Sequence, residues 1–277
     1  MKTRIIADST SDLLPHIRNR VHTVPLTVNF GNEEYIDGVT IDHISFYEKL
    51  TSSPVLPSTS QAPPAAFAAE YEKARLAGES AVVITAASKL SGTYQSAVIA
   101  AEDYDNIYVV DGSSVAIGGG ILVEYALQLL DSGLSADKIA KKLEKDKSKI
   151  FIVAVVDTLE YLKRGGRISK TTAFAGTMLN IKPILSVHDG EINILRKARG
   201  TKQANKILLQ EIEKIGLIDN SKPFLLGYTG TSDAFIKKFI EESFTFFNKS
   251  DLPYTIIGSV IGTHAGPNAV AAAFFIE

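Results

Sequence analysis

The 277-residue chain contains no cysteine and no tryptophan. Without thiols there is no disulfide, no thiolate zinc site and no Cys nucleophile, a composition suited to a reducing compartment. An excess of one charge is also missing. The 29 Lys and Arg nearly balance 31 Asp and Glu for a net charge of −2, so no nucleic-acid-binding surface is expected. No apolar run reaches the roughly 18 residues that a membrane helix needs. The opening MKTRIIADST enters a strand-like run directly, lacking the apolar core and cleavage site of a signal peptide. Five scattered histidines give no metal spacing, and neither a G-x-x-x-x-G-K-[ST] loop nor H-E-x-x-H occurs. These absences predict a cytoplasmic protein with no stable membrane insertion, no nucleic-acid partner, no metal and no cofactor.

What is present is an ordinary globular composition, 45% hydrophobic and 22% charged. The most informative stretch runs from Ala81 to Ala101, AVVITAASKLSGTYQSAVIAA. Val82-Val83-Ile84 is β-branched and of strand length, and Tyr94 to Ala101 reads as a helix. Between them lies Ser88-Lys89-Leu90-Ser91-Gly92-Thr93. In open α/β sheets such turns, at the carboxyl ends of strands, hold ligands. The unpaired amides of the next helix favour anionic oxygen, Ser91 and Thr93 add hydroxyls, and Gly92 permits close approach to the backbone. The plain alternative is that Ser91 only caps the helix.

Elsewhere strands and helices mostly alternate as far as the apolar run Ile150 to Val156, which suits a buried parallel strand. Before that run, Asp8 to Asp12 is an acidic, hydroxyl-rich turn placed to cap a helix, and Val24 to Phe30 reads as one strand. Ser58 to Gln61 forms a second hydroxyl-rich approach to a helix N-terminus. Beyond Asp157 the pattern changes. Ala173 to Leu179 reads as a helix, and His188-Asp189-Gly190 joins two strands in a hairpin. Two helix–strand units follow, the second ending in a strand from Tyr254 to Val260. The expected architecture is α/β with two domains. Residues 1–160 form a mostly parallel sheet flanked by helices and carry the hydroxyl turns, and residues 161–277 form an α/β domain with a mixed sheet.

A third unusual turn, Gly258 to Ala269, brackets Thr263-His264 with glycines, poor surroundings for a core histidine. Together Thr59, Ser60, Ser91, Thr93 and His264 would make a site of neutral donors with one group near neutral pKa, suited to a carboxylate or phosphate oxygen. A Ser91–His264–Asp8 or Ser91–His264–Asp111 triad is possible in residue type, but the G-x-S-x-G elbow is missing because Leu90 and Gly92 flank Ser91. Two basic clusters, Lys163-Arg164 with Arg167 and Lys170, and Arg196-Lys197 with Arg199 and Lys202, are either solvated ends or a docking or phosphate-steering rim. The apolar tract Phe174 to Leu179 with Ile181 to Leu185 suits a core or an apolar pocket.

Five segments occur in a recognisable order: Ile6 to Asp12, Thr59-Ser60-Gln61, Leu90-Ser91-Gly92-Thr93, Gly166-Arg167-Ile168 and Ile261 to Pro267. Over essentially its whole length the chain resembles the DegV family of fatty-acid-binding proteins, the FakB subunits of bacterial fatty acid kinase. The resemblance implies two α/β domains with a long-chain fatty acid such as palmitate or oleate buried between them, its chain in a tunnel mainly of the second domain. By that resemblance Thr59 and Ser91 hold the carboxyl, with Ser60, Gly92, Thr93, Thr263 and His264 close by. Arg167 and Arg199 match positions for partner or phosphate contact. The protein itself would be no enzyme. A kinase subunit would phosphorylate the bound carboxyl to an acyl phosphate for phospholipid synthesis. The alternative is an acyl hydrolase or transferase using Ser91 and His264. Asn268 departs from the pattern, where a small residue is expected.

Overall fold

The computed structural model describes residues 2–168, 180–248 and 250–277. The expected helix over residues 173–179 therefore lies outside the described residues. The first half runs β1 (Thr3–Asp8), α1 (Pro15–Arg18), β2 (His22–Val24), β3 (Thr27–Phe30), β4 (Glu33–Ile36), α2 (His43–Ser52), β5 (Ser58–Ser60), α3 (Pro64–Leu76), β6 (Ser80–Thr85), α4 (Thr93–Ala101), β7 (Ile107–Asp111), α5 (Ala116–Asp131) and α6 (Ala136–Asp146). The second half continues with β8 (Ile150–Val155), α7 (Glu160–Arg164), β9 (Ile181–His188), β10 (Glu191–Arg199), α8 (Thr201–Ile215), β11 (Leu225–Tyr228), α9 (Ala234–Phe247), β12 (Tyr254–Ile256), α10 (Ser259–Ala265) and β13 (Val270–Phe275).

The first sheet, ordered β2-β1-β6-β7, is parallel throughout. Its middle strands read as continuous apolar runs because both faces are covered, and Ala81 to Ile84 are fully buried. From β1 the chain steps to β2 on one side, while β6 and β7 lie on the other. The strand order thus reverses between β1 and β6, the place where open α/β sheets leave a crevice. The expected single strand 24–30 is two strands in different sheets. Pro25 offers no N–H to a ladder, and the next amide, of Leu26, donates to Ser9 Oγ at 3.1 Å. The following β3 joins a small antiparallel sheet ordered β4-β3-β5.

The second sheet, ordered β10-β9-β8-β13-β11-β12, is mixed, with only β11 and β12 parallel. The expected parallel strand at 150–156 is antiparallel to both of its neighbours. Its unbroken apolar run reflects burial on both faces, which antiparallel strands also experience in the middle of a covered sheet. By hydrogen bonding the change of sheet comes before β8, ahead of the boundary expected at residue 160. The β9–β10 hairpin turns where expected, with Asp189 and Gly190 both left-handed (φ 48° and 70°). The helix α5 lies between the two large sheets, touching β1, β6, β8, β11 and β13. Its first eight residues are buried, so it is apolar all round.

The acidic turn after β1 does not cap α1, which starts at Pro15 and has no side-chain cap. Instead its carboxylates face inward. Asp8 accepts from Thr10 N and Oγ1 and from Ala86 N, tying the ends of β1 and β6 together across the crevice. Asp12 accepts from Gly258 N at 2.8 Å, anchoring the approach to α10. Its other oxygen is buried without a partner among the described residues. Burial, reinforced by the nearby Asp37 carboxylate, holds the Asp12 carboxyl well above the usual carboxylate range. A raised folded-state pKa favours the fold while the group is protonated, and that contribution is lost as pH rises through the folded value. Asp12→Asn keeps the acceptor for Gly258 and removes the titration. Thermal unfolding at pH 5 and pH 8 should therefore show a smaller loss of stability with pH in the variant, by on the order of 2–4 °C per kcal/mol. Parallel curves for the two proteins would refute this role for Asp12.

Candidate functional site

Thr59 reaches the site because β5 is a strand and not the loose approach to a helix that the sequence suggests. Its pairing with Val28 on β3 sets the alternation. Ser58 and Ser60 are exposed, whereas Thr59 is half-buried and points inward. Thr59 Oγ1 lies 3.0 Å from His264 Nε2. Ser91 is not the cap of α4. The cap position belongs to Gly92, and the helix begins at Thr93. Ser91 Oγ lies 2.8 Å from Thr93 Oγ1 and accepts from Thr93 N at 3.3 Å. A Cβ at Gly92 would collide with the side-chain amide of Gln61, which itself donates to Ser96 Oγ at 2.9 Å. A side chain at position 92 would displace the Gln61 amide from its place against α4.

His264 does not lie on a loop. Residues 259–265 form α10, and His264 sits in its last turn. The helix packs against α2, β3 and β5 of the first half of the chain and against α7 of the second, so it lies where the two halves meet. Burial, with the Arg167 guanidinium nearby, pushes the imidazole down to about 4, and His264 is neutral at physiological pH. Its Nδ1 is buried and finds no partner among the described residues. It packs so closely on Gly165 that a Cβ there would overlap it. A buried N–H without an acceptor is the costlier orphan, which assigns the proton to Nε2. Nε2–H then donates to Thr59 Oγ1, and the Thr59 hydroxyl proton is free to point elsewhere.

That hydroxyl faces a cavity of about 440 Å³. Its apolar wall is made from α5 (Ala116, Ile117), β8 (Ile152, Ala154), β9 (Leu185, Val187) and α10 (Val260, Ile261), among others. The chain has 23 Phe and Tyr residues (13 and 10), yet no Phe, no Tyr and no carboxylate side chain lines this cavity among the described residues. The polar side chains gather at one region: Thr59, Gln61, Ser91, His264 and Arg167, with Thr10 from the crevice between β1 and β6, while Ser60 borders the cavity and its hydroxyl accepts from Asn29 on the exposed face of the strand. Arg167 spans the junction, its Nε donating to Leu90 O at 3.1 Å and its Nη1 to Gly165 O at 2.6 Å. A second, more polar pocket of about 490 Å³ lies on the other side of Thr59, Arg167 and His264.

Of the residues predicted from sequence, Thr59, Ser60, Ser91, Gly92, Arg167 and His264 converge on the cavity. Thr93 is fully buried behind Ser91 and lines neither space. Thr263 lines only the polar pocket, its hydroxyl spent on Ser259 O in the preceding turn. Arg199 is exposed at the end of β10 and lines neither pocket. The tract 174–179 lies outside the described residues, while Leu185 from the neighbouring tract does line the cavity. Sequence reasoning missed Gln61, Thr10 and the positioning role of Gly165. The G-G after α7 was a legible signal only for a helix end. Asn268 adopts a left-handed φ of 62°, which asparagine tolerates well, and its amide donates to Asp157.

A Ser–His–acid triad is not assembled among the described residues. His264 Nε2 pairs with Thr59, and Ser91 pairs with Thr93. Asp8 is engaged by Thr10 and Ala86, and Asp111 by Ser88 and Ser113.

The sequence model of the DegV family, described as an uncharacterised protein family, matches residues 2–277. The chain belongs to the DegV family. A DegV domain-containing protein of Caldanaerobacter subterraneus is 35% identical over 289 residues, covering all of this chain and 99% of that one. A solved DegV protein from Thermus thermophilus, described by its fatty acid binding, superimposes with a TM-score of 0.87 at 31% identity over the full length of both chains. A stearic-acid-binding protein from Eubacterium ventriosum gives 0.87 at 28% identity, covering 99% of this chain and 98% of that one. Among the described residues of this DegV protein, no helix is long and apolar enough to cross a membrane.

The contact between Gly165 and His264 yields a direct test. Gly165→Ala should push the imidazole off Thr59 and toward water. NMR titration should then find His264 near its ordinary value of 6.5 and no longer near 4. An unchanged titration in the variant would show that Gly165 does not position the ring.

Proposed function

We propose that this DegV protein binds a long-chain fatty acid such as palmitate or oleate, with its chain in the aliphatic cavity and its carboxyl at Thr59, Ser91 and His264. The observation that carries this reading is a cavity walled by aliphatic side chains that ends in neutral hydroxyl and imidazole donors. Each buried methylene contributes about 0.8 kcal/mol, so the chain supplies most of the affinity and the polar end sets orientation. Fatty acid binding by the Thermus and Eubacterium relatives supports the same ligand class. Ser60 and Gly92 line the carboxyl end, Thr93 orients Ser91, and Thr263 supports α10 beside His264.

A fully ionised carboxylate stripped of water is costly when most of its donors are neutral. His264 is itself neutral, so the bound acid shares its proton with the Thr59–His264 pair or draws on Arg167. We further propose that the protein is a non-enzymatic carrier. It presents the carboxyl to a kinase subunit, which phosphorylates it to an acyl phosphate for phospholipid synthesis, and Arg167 and Arg199 serve partner or phosphate contact. The hydrolase or transferase reading is less well supported because His264 is committed to Thr59 and no carboxylate among the described residues orients its Nδ1.

Calorimetric titration with palmitate tests the carboxyl assignment. Ser91→Ala and Thr59→Val should each weaken binding by about tenfold or more, since a hydrogen bond to a charged group contributes about 1.5–3 kcal/mol. Arg199→Ala, at an exposed position, should leave it within about twofold. Palmitate affinity indifferent to both hydroxyls would place the carboxyl elsewhere.

A further inference from the structure

Away from the cavity, three buried carboxylate oxygens have no hydrogen-bond partner among the described residues: Asp12 Oδ2 and both oxygens of Asp37. Asp37 lies in the turn between β4 and α2 and is 2% exposed. His43, the first residue of α2, places its Nε2 3.9 Å from Asp37 Oδ1, too far for a hydrogen bond. A Cβ on Gly258 would stand 3.1 Å from both Asp12 Oδ1 and His43 Nε2, so the cluster closes around the residue that precedes α10. No three His, Asp or Glu side chains among the described residues are placed to hold a metal ion, so one shared cation does not balance this charge. The other titratable groups nearby are engaged or remote. Asp8 is taken up by Thr10 and Ala86, Asp42 caps α2 through Ser45, and the Tyr47 hydroxyl is spent on Ile257 O. Arg18 acts on Asp12 and His43 from an exposed position on α1. Burial pushes the His43 imidazole below its ordinary range, with Arg18 adding to this and Asp37 and Asp42 opposing it. The neutral ring supplies no fixed positive charge. Two ionised carboxylates would then be buried together with no donor on three of their four oxygens, an arrangement that one proton relieves.

We propose that the Asp12–Asp37 pair carries one proton, that this proton holds α10 in place on the cavity wall, and that fatty acid binding is thereby linked to proton uptake at a cluster outside the binding site. The helix and its approach contribute Ile257, Val260, Ile261, His264 and Ala265 to the cavity, which none of Asp12, Asp37 and His43 lines. Its start is tied down by the bond from Gly258 N to Asp12 Oδ1. The raised Asp12 carboxyl gives the sign. The protonated pair favours the packed position of α10. As pH rises through the folded-state value, repulsion and hydration draw the Asp12 and Asp37 turns apart, and α10 loosens with its share of the wall. A ligand that needs that wall binds more tightly at lower pH, and its binding raises the proton occupancy of the pair. This linkage rests on the fatty-acid reading for its ligand and adds Asp12 and Asp37 as positioning residues.

The test uses the intact protein and two readouts. Without ligand, carboxyl-carbon NMR should find Asp12 ionising well above the ordinary carboxylate range, with the Gly258 and Gly262 amide signals moving in the same step. Asp37→Asn should bring that step down. With palmitate, the calorimetric affinity of the wild type should fall by about tenfold between pH 5 and pH 9. Asp12→Asn keeps the acceptor for Gly258 and lacks the titration, so its affinity should fall markedly less. The ligand carboxyl and His264 are the same in both proteins, and the difference between the two profiles isolates the cluster. An Asp12 that ionises in the ordinary range overturns the proposal, as does an Asp12→Asn profile parallel to that of the wild type. If palmitate binds at no pH, the fatty-acid reading falls, and the NMR titration alone decides whether the proton holds α10.

Discussion

The hydrogen bond between Thr59 Oγ1 and His264 Nε2 joins segments 205 residues apart in sequence, and the arrangement around the cavity depends on it. Thr59 is delivered by a three-residue edge strand and His264 by a seven-residue helix that returns from the second half of the chain. Neither element is long enough to fix its own position. The strand is held by its ladder to β3, and the helix by the bond from Gly258 N to Asp12 and by Tyr47, whose hydroxyl donates to Ile257 O at 2.8 Å. The imidazole is then wedged by Gly165, with no partner for its inner nitrogen among the described residues. A neutral ring with its proton on the outer nitrogen is the arrangement this packing favours, and it leaves the threonine hydroxyl as a donor into the cavity.

The rest of the fold provides a dry, aliphatic space next to that donor. The parallel sheet reverses its strand order between β1 and β6, opening a crevice into which Thr10 and Ala86 project. Over the crevice lie α5 and the antiparallel strands β8 and β9 of the second sheet, which contribute small and branched aliphatic side chains. The β9–β10 hairpin closes onto the loop bearing Ser91. Lys89 of that loop pairs with Glu191 at 2.8 Å, and in the neighbouring loop after β7 the Ser113 carbonyl accepts from Gly190 N at 2.7 Å. Arg167 adds a second link to the Ser91 loop through the Leu90 carbonyl. The hydroxyl loop is thus fixed by the second half of the chain, and ordering it in advance reduces the entropy cost of binding.

Much of this was legible in the residues. The turn that leads into a helix at Thr93, the DG hairpin and the passage from a parallel to a mixed sheet carry short-range signals and are present in the structure, whereas residues 59–60 fold as an edge strand. What escaped was decided by tertiary contact. Ile150 to Val155 reads the same whether its partners are parallel or antiparallel, because both cases bury two faces. Residues 259–265 read as a glycine-rich turn because Gly258, Gly262 and Gly266 mask a short helix. A Cβ at Gly262 would meet Tyr47 Oη at 2.5 Å, a packing demand that no local pattern reveals. Asp8 and Asp12 look like caps, since acids before a helix usually are. Only the fold shows them turned inward, to Ala86 and Gly258.

The central claim is that the aliphatic cavity holds a fatty acid. Native mass spectrometry of the protein as purified, followed by denaturation and lipid extraction, tests this most directly. The account predicts a stoichiometric adduct that is released on denaturation as a long-chain fatty acid. A protein that emerges unliganded and takes up neither palmitate nor oleate when they are added would contradict it.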